Sequence, residues 1–241
     1  MDAEIVYANL LRLCHWRGCA PVRAPVPPHS REFTARMADP GYVVIAADRG
    51  SNDPRGAAQL IIAQFSFGYP FDNAPKVANT LARIVSASAS AAASASASAS
   101  ASASASAAAS TGASASASAS ASAIELVIVS VNPVRTTVQS AIKVLRAGNP
   151  RVRVEHYAFD SFLIVAPEHI LVPPHHIVLQ ADVEKICATL HMVPTNFPRL
   201  RASGANPDPM AIWLGLRPHM VVRIDRPSET AGIEIAYRLC D

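Results

Sequence analysis

From Ser86 to Ala123 every residue is alanine or serine except Thr111 and Gly112. These 38 residues carry no charge, no aromatic ring and no large aliphatic side chain. Ordering a chain costs roughly 1–2 kcal/mol per residue in backbone entropy, which burial of apolar surface must offset. This tract has almost nothing to bury. Any core must therefore come from the flanking stretches, 1–85 and 124–241. Strict Ala/Ser alternation is in principle compatible with a flat, silk-like sheet. In one copy tethered at both ends, the expectation is a disordered insertion in a surface connection, where added length costs little.

With the tract set aside, all 21 basic and 18 acidic side chains fall in the other 203 residues, so roughly 19% of that part is charged. That is an ordinary globular balance. The 50% apolar content does not signal a membrane protein, because no run approaches the roughly 20 large apolar residues of a spanning helix. The opening, MDAEIVYANLLRLCHWRG, places acids before its apolar run and lacks the basic start of a signal peptide. Residues 1–165 hold 14 basic and 10 acidic side chains, and residues 166–241 hold 7 and 8. A mild front-half excess fits grazing contact with phosphates and falls short of a free-standing DNA binder. Eighteen of the 21 basic residues are arginine, a residue suited to bidentate interface contacts, although biased codon usage also explains it.

Cys14, Cys19, Cys187 and Cys240 form no C-x-x-C pair. Cys14, His15 and Cys19 make at most half of a tetrahedral metal site, with Cys187, Cys240 or His175–His176 as the remaining candidates. The simpler expectation is reduced, structural thiols and no metal.

Periodicity predicts a helix from Glu4 to His15 ended by Gly18, a proline-rich connector, and a short helix around Glu32–Met37 capped by Ser30. Continuous apolar runs predict buried strands at Tyr42–Asp48, Ala57–Phe67 and Glu125–Val131. Helices are expected from Pro75 through Val85 and from Thr136 to Gly148, and a further strand follows at VRVEHYA. This is an α/β layered portion with the Ala/Ser tract inside one crossover. Beyond Pro167 the pattern becomes β-α-β-α-β-β. Its parts are a strand at HILV, a helix from Gln180 with Val183, Ile186, Cys187 and Leu190 inward, and an extended NFPRL. A helix DPMAIWLG and two alternating strands complete it, the second with Ile233, Ile235, Tyr237 and Leu239 in register. About 75 residues suffice for a small separate domain.

Between those last strands lies RPSETAG, Arg226–Gly232. Catalysis there needs an activated nucleophile or base, and no His or Lys follows His219. A phosphate cradle needs several glycines and a lysine, whereas this loop has one Gly and no Lys. Two readings remain: a protein-binding surface built on Arg226 and Glu229, or a self-satisfied turn. In either, Ser228 and Thr230 bond the loop's own backbone.

The strings ILVPPHHIVL, FPRL and DPMAIWLGLRPHMVVRIDRPSETAGIEIAYRL resemble the small jaw-and-assembly subunit, fifth in size, shared by the eukaryotic nuclear RNA polymerases. The C-terminal domain of that family is similar to a small subunit of the archaeal RNA polymerase. LLRLCHWRG, PKVANTLARIV and ELVIVSV resemble its jaw domain more weakly. The chain departs from the pattern at Phe197, at the added ASGAN (Ala202–Asn206), at Trp213, and at NPVRTT (Asn132–Thr137) in the jaw loop.

The resemblance implies an α/β jaw domain over residues 1–165, with restriction-endonuclease-like layers and no active site, interrupted by the insert at 86–123. It implies an α+β assembly domain over 166–241. It further implies a non-catalytic nuclear polymerase component without cofactors. Its partners would be the largest subunit, other polymerase subunits and downstream double-stranded DNA, with no membrane. The subunit interface would use Phe197, Pro198, Arg199, Arg226, Ser228, Glu229, Thr230 and Arg238, and the DNA contact Arg135, Thr136 and Thr137. Alternatives are a divergent paralogue dedicated to polymerase I, II or III, or a nuclease-fold DNA-binding protein. Against a nuclease, AAQLIIAQF lacks the acid and lysine that a divalent-metal site requires. Asp48 and Asp53 are expected to be solvated.

Overall fold

All eight residues of β3 (Ala58–Phe65) are buried, and so are six of the eight in β4 (Ala123–Ser130). Successive side chains of a strand point to opposite faces, so such strands need cover on both sides. In the computed structural model each face is covered. The structure describes residues 2–66, 69, 73, 75–87, 123–131, 136–204 and 206–241, with the side chains of 137, 138 and 141 excepted. Most of the Ala/Ser tract, and the expectation that it is disordered, lies outside the described residues.

The first sheet runs in the order β1 (Cys19–Pro21), β2 (Tyr42–Arg49), β3, β4, β5 (Val152–Ala158). β1–β2 and β2–β3 are antiparallel, whereas β3–β4 and β4–β5 are parallel. Leu60, Ile62, Val127 and Val129 face a core formed with α1 (Asp2–Trp16), which supplies Val6, Leu10 and Leu13, and with Phe33 of α2 (Arg31–Ala38). Ser30 caps α2, its hydroxyl accepting from Phe33 N. On the opposite face, Ile61, Ala63, Leu126 and Ile128 meet Val77, Leu81 and Ile84 of a helix described over 75–87 (α3). Ile142 and Leu145 of α4 (Thr136–Gly148) join them. The result is a helix–sheet–helix sandwich, and the tract falls in the α3–β4 crossover.

The second sheet has the order β6 (His175–Ile177), β8 (Val221–Ser228), β9 (Gly232–Cys240), β7 (Arg199–Leu200). α5 (Gln180–Thr189) covers one face through Val183 and Cys187, which pack with Phe197, Val221 and Leu239. α6 (Pro209–Leu214) covers the other, where Met210, Ala211 and Leu214 meet Val222, Ile224 and Cys240. Asp208 caps α6 by accepting from Met210 N, and Gly215 ends it in the left-handed region.

Several expectations need correcting. HILV is not a strand: Val172 N donates to His169 O, closing a turn, and Ile170 and Leu171 are 94% and 81% exposed. His175–Ile177 occupies the place beside β8 instead. Leu190 is half-exposed at the end of α5, and Ile233 and Ile235 stand outside the core. The proline-rich connector opens with a short strand that periodicity did not reveal, since β1 spans three residues.

Candidate docking hairpin and the charged seam behind it

β8 and β9 pair without interruption from Val221↔Leu239 to Ser228↔Gly232. Gly232 has a φ of 72°, a conformation that favours glycine and lets the chain reverse after Ala231. Within the turn, Ser228 Oγ accepts from Ala231 N at 3.3 Å and lies 3.4 Å from Thr230 Oγ1. Ser228 and Thr230 therefore order the loop, leaving its charges to face outward. Arg226 and Glu229 are exposed, and among the described residues neither forms an ion pair.

The remaining predicted interface residues gather at the base of the hairpin, about 20 Å away at 3.3 Å per residue. Arg199 and Pro198 are exposed, and Arg238 reaches back to Arg199 O at 3.5 Å. Phe197 is a correction. It is 5% exposed, with its ring centroid 5.8 Å from that of Tyr237, so its side chain supports β9 from within the domain. Arg135 lies outside the described residues. Thr136 is exposed at the start of α4, and nothing is described of the Thr137 side chain.

The first sheet and its turns meet α6 and the residues that follow it along a band of largely buried charge that sequence reasoning missed. Glu125 of β4 accepts from Arg49 Nη2 at 2.7 Å and Nη1 at 3.2 Å, and it is also held by Arg217. Arg17 donates to Glu155 Oε2 at 2.8 Å and to Ile212 O at 2.7 Å. Arg55 donates to Leu214 O at 2.5 Å and grips Asp53 Oδ2 at 2.5 Å. Arg153 donates to Leu216 O at 3.2 Å. Three arginines, Arg17 from the turn after α1, Arg55 from the β2–β3 turn and Arg153 of β5, thus satisfy carbonyls at and just beyond the C-terminal end of α6, where unpaired acceptors concentrate negative charge. Glycines leave them space. A Cβ on Gly18 would come within 2.6 Å of Asp53 Oδ2, and one on Gly215 within 3.1 Å of Arg17 Nε.

The electrostatics follow from this packing. Burial alone would raise the Glu125 carboxyl, but bonds and charge from Arg49, Arg17 and Arg217 hold it at about 2. Burial lowers His156 to about 4, with Ser130 Oγ 2.7 Å from its Nε2. Burial pushes Cys14 up to about 12, and Cys19 is likewise raised, so both stay neutral thiols within the core. Asp53 is lowered, Arg55 outweighing burial, and is ion-paired instead of solvated. Of the two acids weighed for a nuclease centre, Asp53 is thus engaged by Arg55, whereas Asp48 stays exposed at the end of β2. Glu125 on a buried strand was the available clue, because a charge there requires a partner.

Residues 164–240 match the family described as RNA polymerase Rpb5, C-terminal domain. The DNA-directed RNA polymerase RPB5 homolog of African swine fever virus (isolate Warthog/Namibia/Wart80/1980) is 31% identical over 116 residues, 47% of this chain and 55% of the relative. The subunit RPABC1 of DNA-directed RNA polymerases I, II, and III from Caenorhabditis elegans is 36% identical over 90 residues, 37% of this chain and 41% of the relative. The Dictyostelium discoideum counterpart is 33% identical over 90 residues, 37% of this chain and 44% of the relative. The chain spans about half the length of the relatives it matches.

Proposed function

We propose, from the match of residues 164–240 to the Rpb5 C-terminal domain family, that the chain is a non-catalytic assembly subunit of a DNA-directed RNA polymerase. Its hairpin docks on the largest subunit. The observation that carries this reading is the division of labour in the turn: Ser228 and Thr230 hold its shape while Arg226 and Glu229 point outward without ion-pair partners. Both side chains are therefore available to a partner. Affinity purification of the tagged chain, with its largest companion identified, tests the assignment and names the enzyme. Glu229→Arg reverses charge at an exposed position, where folding usually shifts by only about 0.5 kcal/mol. Against a partner that meets Glu229 it costs several kcal/mol. Recovery with polymerase should fail while thermal unfolding stays near wild type. Normal recovery would return the loop to a self-contained turn.

The first sheet acts in the same reading as the jaw beside downstream DNA. Arg135, Thr136 and Thr137 contact phosphates, which position a duplex without reading its sequence. The observation behind this is the exposure of Thr136, within the jaw-loop segment NPVRTT, at the start of α4. Arg135→Ala should loosen the grip of elongation complexes on DNA and flatten its salt dependence, with sequence preference unchanged. An unaltered salt response would remove Arg135 from the contact.

For a polymerase of the kind named in the nematode and Dictyostelium relatives, the site of action is the nucleus. The viral relative matches over a longer stretch, 116 residues against 90, and favours a second reading in which the enzyme is virus-encoded. Location then follows that enzyme, and the companion recovered with the tagged chain separates the two.

A further inference from the structure

β9 leaves part of one edge open. Cys240 N donates inward to Met220 O, whereas Leu239 N donates outward to Pro198 O. In an antiparallel pair this alternation continues along the strand, so the N–H and C=O groups of Ile233, Ile235 and Tyr237 also face away from β8. β7 covers that edge only at Leu239 and Cys240, because the chain before Pro198 departs through the tight turn Pro194–Asn196. Among the described residues, the N–H groups of Ile235 and Tyr237 have no backbone acceptor. Side chains at alternate positions share a face, and here Ile233 and Ile235 are 65% and 47% exposed. Natural edges are usually blunted by proline, bulges or inward charge. β9 has no proline, and its register with β8 is unbroken.

We propose that this edge receives an extended segment of another polymerase subunit, which adds as a strand beside β9 and lays apolar side chains against Ile233 and Ile235. The proposal rests on the reading of the chain as a polymerase subunit and specifies how its hairpin is held. Five positions, 233–237, lie along this edge and accommodate a strand of about 17 Å. The N–H of Ile233 is already given to Ala231 O, so the free donors are those of Ile235 and Tyr237. Backbone pairing supplies affinity while the isoleucines supply register. Arg199 and Arg238 lie at the base of the opening, favouring a segment that is acidic at that end. A second copy of this chain is a poorer occupant. Two edges of five residues bury far less than the roughly 1,200 Å² of a stable interface, whereas a subunit that also meets the turn is not so limited.

Ile235→Pro removes an N–H that serves no bond inside the chain, and proline is tolerated on edge strands. Ile235→Thr retains it. Tagged full-length variants are compared for co-purifying polymerase and thermal midpoint. Ile235→Pro should lower recovery by about tenfold or more, the loss expected from a missing backbone pair at a packed edge, with its midpoint retained. Ile235→Thr should stay within about twofold of wild type, since donor and β-branched stem persist. If Ile235→Pro assembles normally while Glu229→Arg does not, the edge proposal is overturned and the docking reading stands. If both assemble normally, both fall. Should Ile235→Pro unfold, amide exchange in the wild-type complex decides. Protection of Ile235 and Tyr237 beyond that in the free chain supports the added strand, and unchanged exchange overturns it. Self-association of the free chain that Ile235→Pro abolishes would assign the edge to a second copy and likewise overturn the proposal.

Discussion

Glu125 stands on a buried strand with Arg49 and Arg217 on its two oxygens and Arg17 at 4.0 Å. Breaking a buried ion pair by neutralising one member typically costs 3–5 kcal/mol, because the surviving charges lose their compensation. Glu125→Gln should lower the free energy of unfolding at pH 7 by about that much, measured in urea. The sign with pH also follows. Glu125 falls from 4.5 to about 2 in the fold, so its stabilisation is complete above 4.5 and is lost as pH falls toward 2. His156, lowered from 6.5 to about 4 by burial, binds its proton more readily when unfolded. Stability therefore begins to fall below pH 6.5 and declines further below 4.5. Glu125→Gln should shrink the second step, leaving the share of Asp53, which is also lowered, and should retain the first. Wild-type and variant curves that stay parallel down to pH 3 would sink the assignment.

At the scale of elements, strands and helices with a strong pattern were legible, because β3 and β4 are apolar on both faces and α1, α3 and α4 on one. What escaped was decided by partners distant in sequence. β1 exists because Cys19–Pro21 finds the free edge of β2, and a three-residue strand carries no period of its own. HILV has the residues of a strand but no neighbour, since His175–Ile177 already pairs with β8. The exposed positions Arg226 and Glu229 were readable at the hairpin, whereas the burial of Phe197 depends on its stacking with Tyr237 across the sheet. The Ala/Ser tract joins two elements that are each fixed independently. α3 is held by Val77, Leu81 and Ile84, and β4 by its register with β3 from Ala123 onward. Deleting Ser88–Ser120 leaves a short connection of ordinary length for a helix-to-strand crossover. The thermal midpoint should stay within a few degrees of wild type, because the deleted residues offer little apolar surface. A large drop on calorimetry would show that the tract packs against the fold.

Across the whole molecule, the boundary drawn between 165 and 166 separates two sheets but not two cores. Ile212 and Trp213 belong to α6 yet pack with Leu10, Leu13 and Phe162, the Trp213 ring lying 5.9 Å from Phe162. Arginines 17, 55 and 153 reach across to carbonyls at or just past the end of the same helix. The second sheet still has its own clusters on both faces, so a fragment of residues 166–241 should fold. It should do so with reduced stability, because removing a fully buried aromatic contact of this size is worth roughly 3–5 kcal/mol. Trp213 is the sole tryptophan in that fragment, which makes its fluorescence a direct report. In isolation its emission should be red-shifted by water, and adding residues 1–165 should move it to the blue and raise the melting midpoint. High salt should weaken this re-association only modestly, since the seam's charges are buried and poorly screened. Protease cutting at the exposed Ile164, Ile170 or Leu171 should likewise yield two pieces that co-elute. Emission that is already blue in the free fragment, and does not respond to its complement, would mean that the sheets fold as strangers and that the seam holds nothing together.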